Sequence, residues 1–181
     1  MNAPIGVFGG TFDPIHYGHL RTAFELWQAL RLAQVRFLPT GDPPHREPSQ
    51  APPELRLQMV RAAIAGQDAF VVDDREMRRS GVSYSVDTLL DLRGEYGERS
   101  LCLLLGMDAF LGMPSWHRWR EIFDLAHVVV AHRPGWRAPI TGPLGEVMVD
   151  RGTGSVRDLH QAPAGRVYVQ AFAIGCFLAG L

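Results

Sequence analysis

The sequence predicts an α/β protein with one open, mostly parallel sheet and helices on both of its faces. Short apolar runs of strand length recur along the chain, and several of them end at a glycine or proline turn. Segments with helical periodicity lie between these runs. Strands that alternate with helices form βαβ units, which place parallel strands in a sheet covered by helices. The 181 residues fit a single domain over residues 1–181, because a typical domain has roughly 150 residues.

The first βαβ unit occupies the start of the chain. A strand at residues 5–8 ends at Gly9-Gly10, a helix follows at about residues 18–32, and a second strand follows at residues 35–38. The apolar residues of the helix recur at spacings of three and four: Leu20, Ala23, Phe24, Trp27 and Leu30. Residues 40–53 contain five prolines, so a long irregular loop follows the second strand.

The remaining elements continue this alternation. Helices are predicted at about residues 54–65, 85–96 and 114–125, strands at residues 70–72, 101–105 and 127–131, and weak strands at residues 146–149 and 166–173. Ser85 is placed to cap its helix. Ligands of such sheets bind outside the carboxyl ends of the strands, where the loops at residues 9–19, 40–46 and 106–108 emerge.

The charged residues exclude several classes of function. All 18 basic residues are arginine, and the net charge is −1. Without lysine the chain has no Walker-type phosphate loop, no Schiff-base chemistry and no lysine general base. A near-neutral chain without a basic stripe also argues against a nucleic-acid partner, so an anionic ligand would be bound by a local site.

Nothing in the sequence predicts export or a membrane anchor. The first ten residues lack the basic start and apolar stretch of a signal peptide. The uncharged segment at residues 167–181 is shorter than the roughly 20 residues that span a bilayer. Cys102 and Cys176 form neither a disulfide framework nor a zinc motif. We therefore expect a cytoplasmic protein that does not bind membranes.

The first loop carries the clearest chemistry. Its glycines expose backbone N–H groups next to a helix start, an arrangement that attracts phosphate. His16 and His19 are three residues apart, so both imidazoles can face the same point. Two alternatives compete: ordinary surface histidines, or a zinc pair completed by His45 or Asp108. A dinucleotide-binding loop fits poorly, since the glycine spacing differs from G-x-G-x-x-G.

The whole loop, GGTFDPIHYGHL, resembles the signature of the nucleotidylyltransferases that carry an HxGH motif at the first βα junction. Other segments occur in the order typical of bacterial nicotinate-nucleotide adenylyltransferases: PPHR, VDDREMRRSGVSYSVDTL, LGMD, PSWHRW and AHRPG. The resemblance covers about residues 4–136 and implies a Rossmann-like sheet. It also implies transfer of AMP from ATP to nicotinate mononucleotide, with Mg²⁺ accompanying the ATP.

The resemblance assigns roles to residues on both sides of the reaction. His16 and His19 match the catalytic histidines that contact the ATP phosphates. The other residues expected to bind ATP are Gly9, Gly10, Thr11, Phe12, Gly106, Asp108 and Arg133. Those expected to bind nicotinate mononucleotide are Arg46, Ser85, Trp116 and His117. Three of these residues also have a purely structural interpretation: Arg46 as an ordinary exposed arginine, Trp116 as a core residue and Arg133 as a partner in a salt bridge. Trp119 is assigned to the core.

The C-terminal segment, residues 167–181, departs from the pattern. The resemblance implies a second signature of the type I-S-S-T-x-I-R, but residues 173–181 contain neither its serines nor its arginine. We therefore expect a weak enzyme or a different native C terminus. Two other hypotheses stay open: a sister nucleotidylyltransferase with another phosphate acceptor, and a catalytically impaired nucleotide-binding protein.

Overall fold

The computed structural model describes residues 2–41, 49–132 and 139–171. The strands of this part of the chain are β1 (Ile5–Gly10), β2 (Gln34–Pro39), β3 (Phe70–Val72), β4 (Leu101–Gly106), β5 (His127–His132), β6 (Gly152–Thr153) and β7 (Val167–Ala171). They form one sheet in the order β3-β2-β1-β4-β5-β7-β6, and every pair of neighbours is parallel. The predicted α/β class with one open parallel sheet is confirmed.

The helices connect the strands. They are α1 (Tyr17–Leu30), α2 (Pro53–Ile64), α3 (Arg75–Arg78), α4 (Ser85–Tyr96), α5 (Met107–Gly112), α6 (Ile122–Leu125), α7 (Gly142–Arg151) and α8 (Val156–Gln161). Two short 3₁₀ turns lie at Met113–Ser115 and Trp119–Glu121. Within the described ranges, no helix is long and apolar enough to cross a membrane.

Helices cover both faces of the sheet because successive strand residues point to opposite sides. On β4, Leu101, Leu103 and Leu105 pack into one core with α4, α5 and α6. Cys102 and Leu104 pack into the other core with α1 and α2. Trp119 is buried in the first core, as predicted.

The structure corrects the predicted helix at residues 114–125. That segment consists of two 3₁₀ turns and the short α6, because Arg118 adopts a left-handed conformation (φ 50°) that interrupts a helix. The predicted strand at residues 146–149 was also wrong, since α7 covers it. The local run of apolar residues there suggested a strand, but Val149 is 83% exposed on the outer side of the helix.

Two smaller expectations also change. Ser85 is the first residue of α4 and does not cap it, because Tyr84 is the N-cap residue and makes no side-chain cap bond. On α1 the buried residues are Ala23, Leu26 and Leu30, whereas Phe24 lies at the exposed margin of the apolar face. The sequence analysis did not predict α3, α5, α8 or β6, which are short. Residues 172–181, most of the atypical segment, lie outside the described ranges, and residues 167–171 form β7.

Candidate active site

The site lies where the strand order of the parallel sheet reverses. β1 and β4 are neighbours, but β1 continues to β2 on one side and β4 continues to β5 on the other. α1, which follows β1, packs on one face, and α5, which follows β4, packs on the other. Such a switch point opens a crevice at the carboxyl ends of the two strands, and this is where ligands of open α/β sheets bind.

The loop after β1 is held by its own aromatic residue. Phe12 is 2% exposed and packs edge-on against Phe8, although its φ of 48° is unusual for a residue with a side chain. A Cβ at Gly10 would lie 3.0 Å from the Phe12 ring, so any larger residue would push the ring outward where it folds back. The Gly10 carbonyl accepts a hydrogen bond from the Thr40 N–H at 2.9 Å. The loop therefore has a fixed path between β1 and α1.

His16 and His19 cap the helix that carries them. His16 is the N-cap residue of α1, and its Nδ1 accepts from the Gly18 N–H at 3.1 Å. In return, Nδ1 of His19 accepts from the His16 N–H at 3.3 Å. This reciprocal arrangement is a capping box in which imidazoles replace the usual hydroxyl and carboxylate. The rings stack with their centroids 3.8 Å apart, which confirms that they face the same point.

The capping bonds determine where each ring carries its proton. A ring nitrogen that accepts a hydrogen bond has no proton, so a neutral imidazole that accepts at Nδ1 carries its proton on Nε2. Both histidines therefore present Nε2–H groups away from the helix backbone. A pair of stacked N–H donors is suited to bind the oxygens of an anionic group.

His19 is neutral at physiological pH. Partial burial, together with the neighbouring charge when His16 is protonated, lowers the pKa of His19 from 6.5 to about 4. A proton added to His19 would also occupy Nδ1, where it would face the His16 N–H. The site therefore keeps this imidazole as a neutral donor.

Gly18 is the small residue that this arrangement requires. A Cβ at position 18 would lie 3.0 Å from both Cε1 and Nδ1 of the His16 ring. Any larger residue would press on the ring and on the hydrogen bond that orients it. The glycine between the two histidines is thus explained by the position of the first imidazole.

Gly106 and Asp108 lie on the other side of the crevice. Gly106 ends β4, and Asp108 is exposed in the first turn of α5. A Cβ at Gly106 would meet no atom of the described residues within 4 Å, so packing against them does not explain the glycine. Space is left at this position for a ligand to approach the end of the strand.

The structure joins the remaining described candidates into a second group. Ser85 opens α4, and the preceding Tyr84 ring lies 4.4 Å from the His117 ring. Arg118 forms an ion pair with Asp87 of α4 at 3.6 Å. Trp116, which precedes His117 in the segment after α5, is half-buried against the first core. Segments that are about thirty residues apart in sequence therefore meet at the N-terminus of α4.

Arg46 and Arg133 lie outside the described residues, as does His45. In the part of the chain that is described, no group of three or more His, Cys, Asp or Glu side chains could hold a metal ion. Asp108 therefore does not join the histidine pair as a third zinc ligand. Cys102 is buried, and burial raises the pKa of its thiol to about 12.

Sequence reasoning missed three residues next to the site: Arg56, Glu76 and Tyr84. Arg56 occupies the buried stripe of α2 with Val60 and Ile64. Its spacings of four and eight from these two apolar residues were a usable signal, because a charged residue on a buried stripe requires a reason. Glu76 is buried too, and burial raises the pKa of its carboxyl group. No sequence pattern indicates the Tyr84–His117 contact.

The low pKa of His19 predicts a pH-dependent loss of stability. The unfolded chain binds a proton at this residue near pH 6.5 and the folded chain only near pH 4. The free energy of unfolding should therefore decrease as the pH falls from 6.5 to 4. His19→Asn, which cannot be protonated, should weaken this decrease in urea unfolding measured across that range. Contributions from other histidines cancel in the difference, and identical pH profiles for the two proteins would contradict the prediction.

Comparison with known proteins agrees with this geometry. The family model described as cytidylyltransferase-like matches residues 7–170. A protein of Aeromonas hydrophila named "Probable nicotinate-nucleotide adenylyltransferase" is 48% identical over 169 residues, which cover 93% of this chain and 79% of the relative. A protein of Halorhodospira halophila with the same name is 48% identical over 167 residues, 92% of this chain and 77% of the relative.

A solved structure shares the fold. The Plasmodium falciparum nicotinic acid mononucleotide adenylyltransferase complexed with NaAD aligns with a TM-score of 0.70 at 14% identity, over 94% of this chain and 76% of the other. The fold therefore agrees with the sequence relationship. The chain belongs to the cytidylyltransferase-like family and, within it, to the nicotinate-nucleotide adenylyltransferases.

Proposed function

We propose that this chain transfers the AMP group of ATP to nicotinate mononucleotide, giving nicotinate adenine dinucleotide and pyrophosphate, in NAD biosynthesis. The observation that carries the proposal is the pair of stacked imidazoles at the start of α1, beside the crevice between β1 and β4. Their Nδ1 atoms accept the capping hydrogen bonds, which leaves each Nε2–H to donate to a substrate. Family membership supports the choice of substrates. The proposal includes a cytoplasmic location.

The reaction needs donors rather than a protein nucleophile. A phosphate oxygen of the mononucleotide attacks the α-phosphorus of ATP and forms the new phosphorus–oxygen bond. The bond from the α-phosphorus to the bridging oxygen breaks, and pyrophosphate leaves with that electron pair. The protein aligns two polyanions and stabilises the charge that builds up on oxygen during transfer.

His16 and His19 are the catalytic residues of the proposal. Their Nε2–H groups donate to the phosphate oxygens of ATP, and the backbone from Gly9 to Phe12 lines the path of the phosphates. Because His19 is neutral, its Nδ1 keeps the capping hydrogen bond to the His16 N–H while its Nε2–H donates to the substrate. Asp108 accepts hydrogen bonds from the hydroxyl groups of the adenosine ribose, and Gly106 leaves room for the nucleoside. Arg133 is proposed near the adenosine.

The second group binds the acceptor. The Trp116 ring stacks on the nicotinate ring, while Ser85 and the His117 backbone donate to its carboxylate. The N-terminus of α4 also favours a negative group at this position. Arg46 is proposed to reach the mononucleotide phosphate. Mg²⁺ is proposed to enter with the triphosphate of ATP, held by substrate oxygens and water, because the described residues offer no carboxylate cage.

Purified protein supplied with ATP, Mg²⁺ and nicotinate mononucleotide should release pyrophosphate and form the dinucleotide, both measurable by chromatography. His19→Ala should lower kcat by a factor on the order of 100 to 1,000, as expected for loss of a donor to a developing charge. Pyrophosphate release with pantetheine phosphate or glycerol phosphate, and none with nicotinate mononucleotide, would identify a sister transferase. Binding without turnover of any acceptor would identify an impaired homologue.

Gly18→Ala should lower kcat by up to about 10-fold, because a new Cβ 3.0 Å from the His16 ring pushes that ring by a few tenths of an ångström out of its donor position. Gly94→Ala is the matched control, since a Cβ at that helical position meets no atom of the described ranges within 4 Å. The control should keep wild-type kcat and gain up to about 1 kcal/mol of stability from reduced backbone entropy. Equal kcat values for the two variants would refute the steric explanation.

Ser85→Ala should reduce the preference for nicotinate mononucleotide over its amide counterpart by about tenfold in kcat/KM, because a hydrogen bond to a charged group is lost. Ser155→Ala, next to the edge strand β6, is the control and should leave the preference unchanged. An unaltered acid-to-amide ratio in Ser85→Ala would remove this residue from the acceptor site.

A further inference from the structure

Arg56 is a buried cation next to the proposed phosphate site. It lies in the first turns of α2 and is 1% exposed. Nη1 donates to the Thr11 carbonyl at 2.6 Å, and Nη2 donates to the Gly41 carbonyl at 3.3 Å. Nε is buried, and none of the described residues gives it a hydrogen-bond partner. One guanidinium thus holds the loop after β1 and the chain that leaves β2.

Burying this charge is costly. Within the residues that the structure describes, no carboxylate lies within ion-pair distance of Arg56, and its partners are two neutral carbonyl groups. An unpaired buried cation destabilises a fold compared with an apolar residue of similar size. Val60 and Ile64 fill the same stripe of α2 without such a cost. Packing alone therefore does not explain an arginine at this position.

The Gly41 carbonyl group belongs to a segment that is connected by contacts to the proposed acceptor site. Gly41 packs tightly against α3, because a Cβ at this glycine would lie 2.8 Å from the Glu76 carbonyl oxygen. That same carbonyl oxygen accepts from the Ser83 hydroxyl at 3.1 Å. The Glu76 carboxylate accepts from the Thr88 hydroxyl of α4 at 2.8 Å. A continuous set of contacts thus runs from Arg56 to the start of α4, where Ser85 lies.

We propose that Arg56 is a positioning residue that sets the spacing between the ATP-phosphate loop and the acceptor site at the N-terminus of α4. It does so by holding the Thr11 and Gly41 carbonyls on two arms of one rigid guanidinium. The inference rests on the proposed function, since the spacing matters when two bound substrates must react with each other. A shift of the loop relative to α4 would leave each substrate bound but would separate the reacting atoms.

The guanidinium is the group that this role requires. Its N–H donors lie in one plane at fixed angles, so the two carbonyl groups are held at a fixed separation. A lysine ammonium keeps the charge but is a point donor on a flexible stem. Arg56→Lys therefore separates the effect of charge from the effect of geometry.

The test measures kcat and each KM for Arg56→Met and Arg56→Lys. We expect kcat to fall by a factor on the order of 100 in Arg56→Met and at least about 10 in Arg56→Lys, with each KM changed less than about threefold. Arg61→Met is the matched control: it removes one positive charge from the same helix, at a side chain that is 57% exposed. The control should keep wild-type kcat.

Ser83→Ala cuts the same set of contacts while leaving Arg56 in place, and so it serves if Arg56→Met fails to fold. It should lower kcat by a smaller factor, and its effect should not multiply with that of Arg56→Lys. Hydrogen exchange of the amides of residues 10–19 gives a readout that needs no turnover, and exchange should be faster in Arg56→Lys. If wild-type protein shows no turnover, the proposed function fails, and the exchange experiment still decides the role of Arg56.

Three results would overturn the inference. The first is a kcat within about threefold of wild type in both Arg56 variants, because a fixed spacing would then be dispensable. The second is full recovery of kcat in Arg56→Lys, which would assign the effect to charge. The third is unchanged amide exchange in the loop, which would show that Arg56 does not hold it.

Discussion

Two hydrogen bonds from backbone N–H groups to imidazole nitrogens determine the chemistry of this site. They satisfy donors at the start of α1 that would otherwise lack partners, and they fix the orientation and tautomer of His16 and His19. The same sequence motif therefore caps the start of a helix and orients the Nε2–H groups of two histidines. Gly18 is part of the same device, because a side chain there would displace the first ring.

The sheet topology places the two histidines at the ligand-binding crevice. Because β1 and β4 are parallel neighbours and the strands that follow them are added on opposite sides of the sheet, the loop after β1 and the start of α5 face a common crevice. The packing of Phe12 against Gly10 fixes the loop after β1, and the hydrogen bonds of Arg56 connect that loop to the chain after β2. The proposed phosphate site therefore depends on packing between elements as much as on the residues that contact the substrate.

The sequence predicted most of this fold because the main strands are nearly continuous apolar runs that parallel sheets bury on both faces. The two histidines were predicted to face one point from their spacing alone, and the structure confirms it. Prediction failed where tertiary packing overrode local pattern. The apolar run Val147–Val149 suggested a strand but lies in α7, and Arg118 divides a segment whose apolar spacing suggested one helix.

Other features had no sequence signal or only a weak one. The contact between Tyr84 and His117 depends on how α4 meets the segment after α5, which no local pattern encodes. Ser85 was expected to cap α4 because serine favours that position, yet Tyr84 occupies the N-cap position without a side-chain cap bond and Ser85 is the first residue of the helix. The burial of Arg56 was predictable in principle from its four-residue spacing to Val60, but its two carbonyl partners come from elsewhere in the fold.

The most direct test of this account is the tautomeric state of His16 and His19, measured by nitrogen-15 NMR of the ring nitrogens in the free protein at pH 7. We expect both rings to carry their proton on Nε2 and to accept hydrogen bonds at Nδ1. A proton on Nδ1 of either ring would contradict the account, because that ring could not cap α1 and present its Nε2–H to a phosphate group.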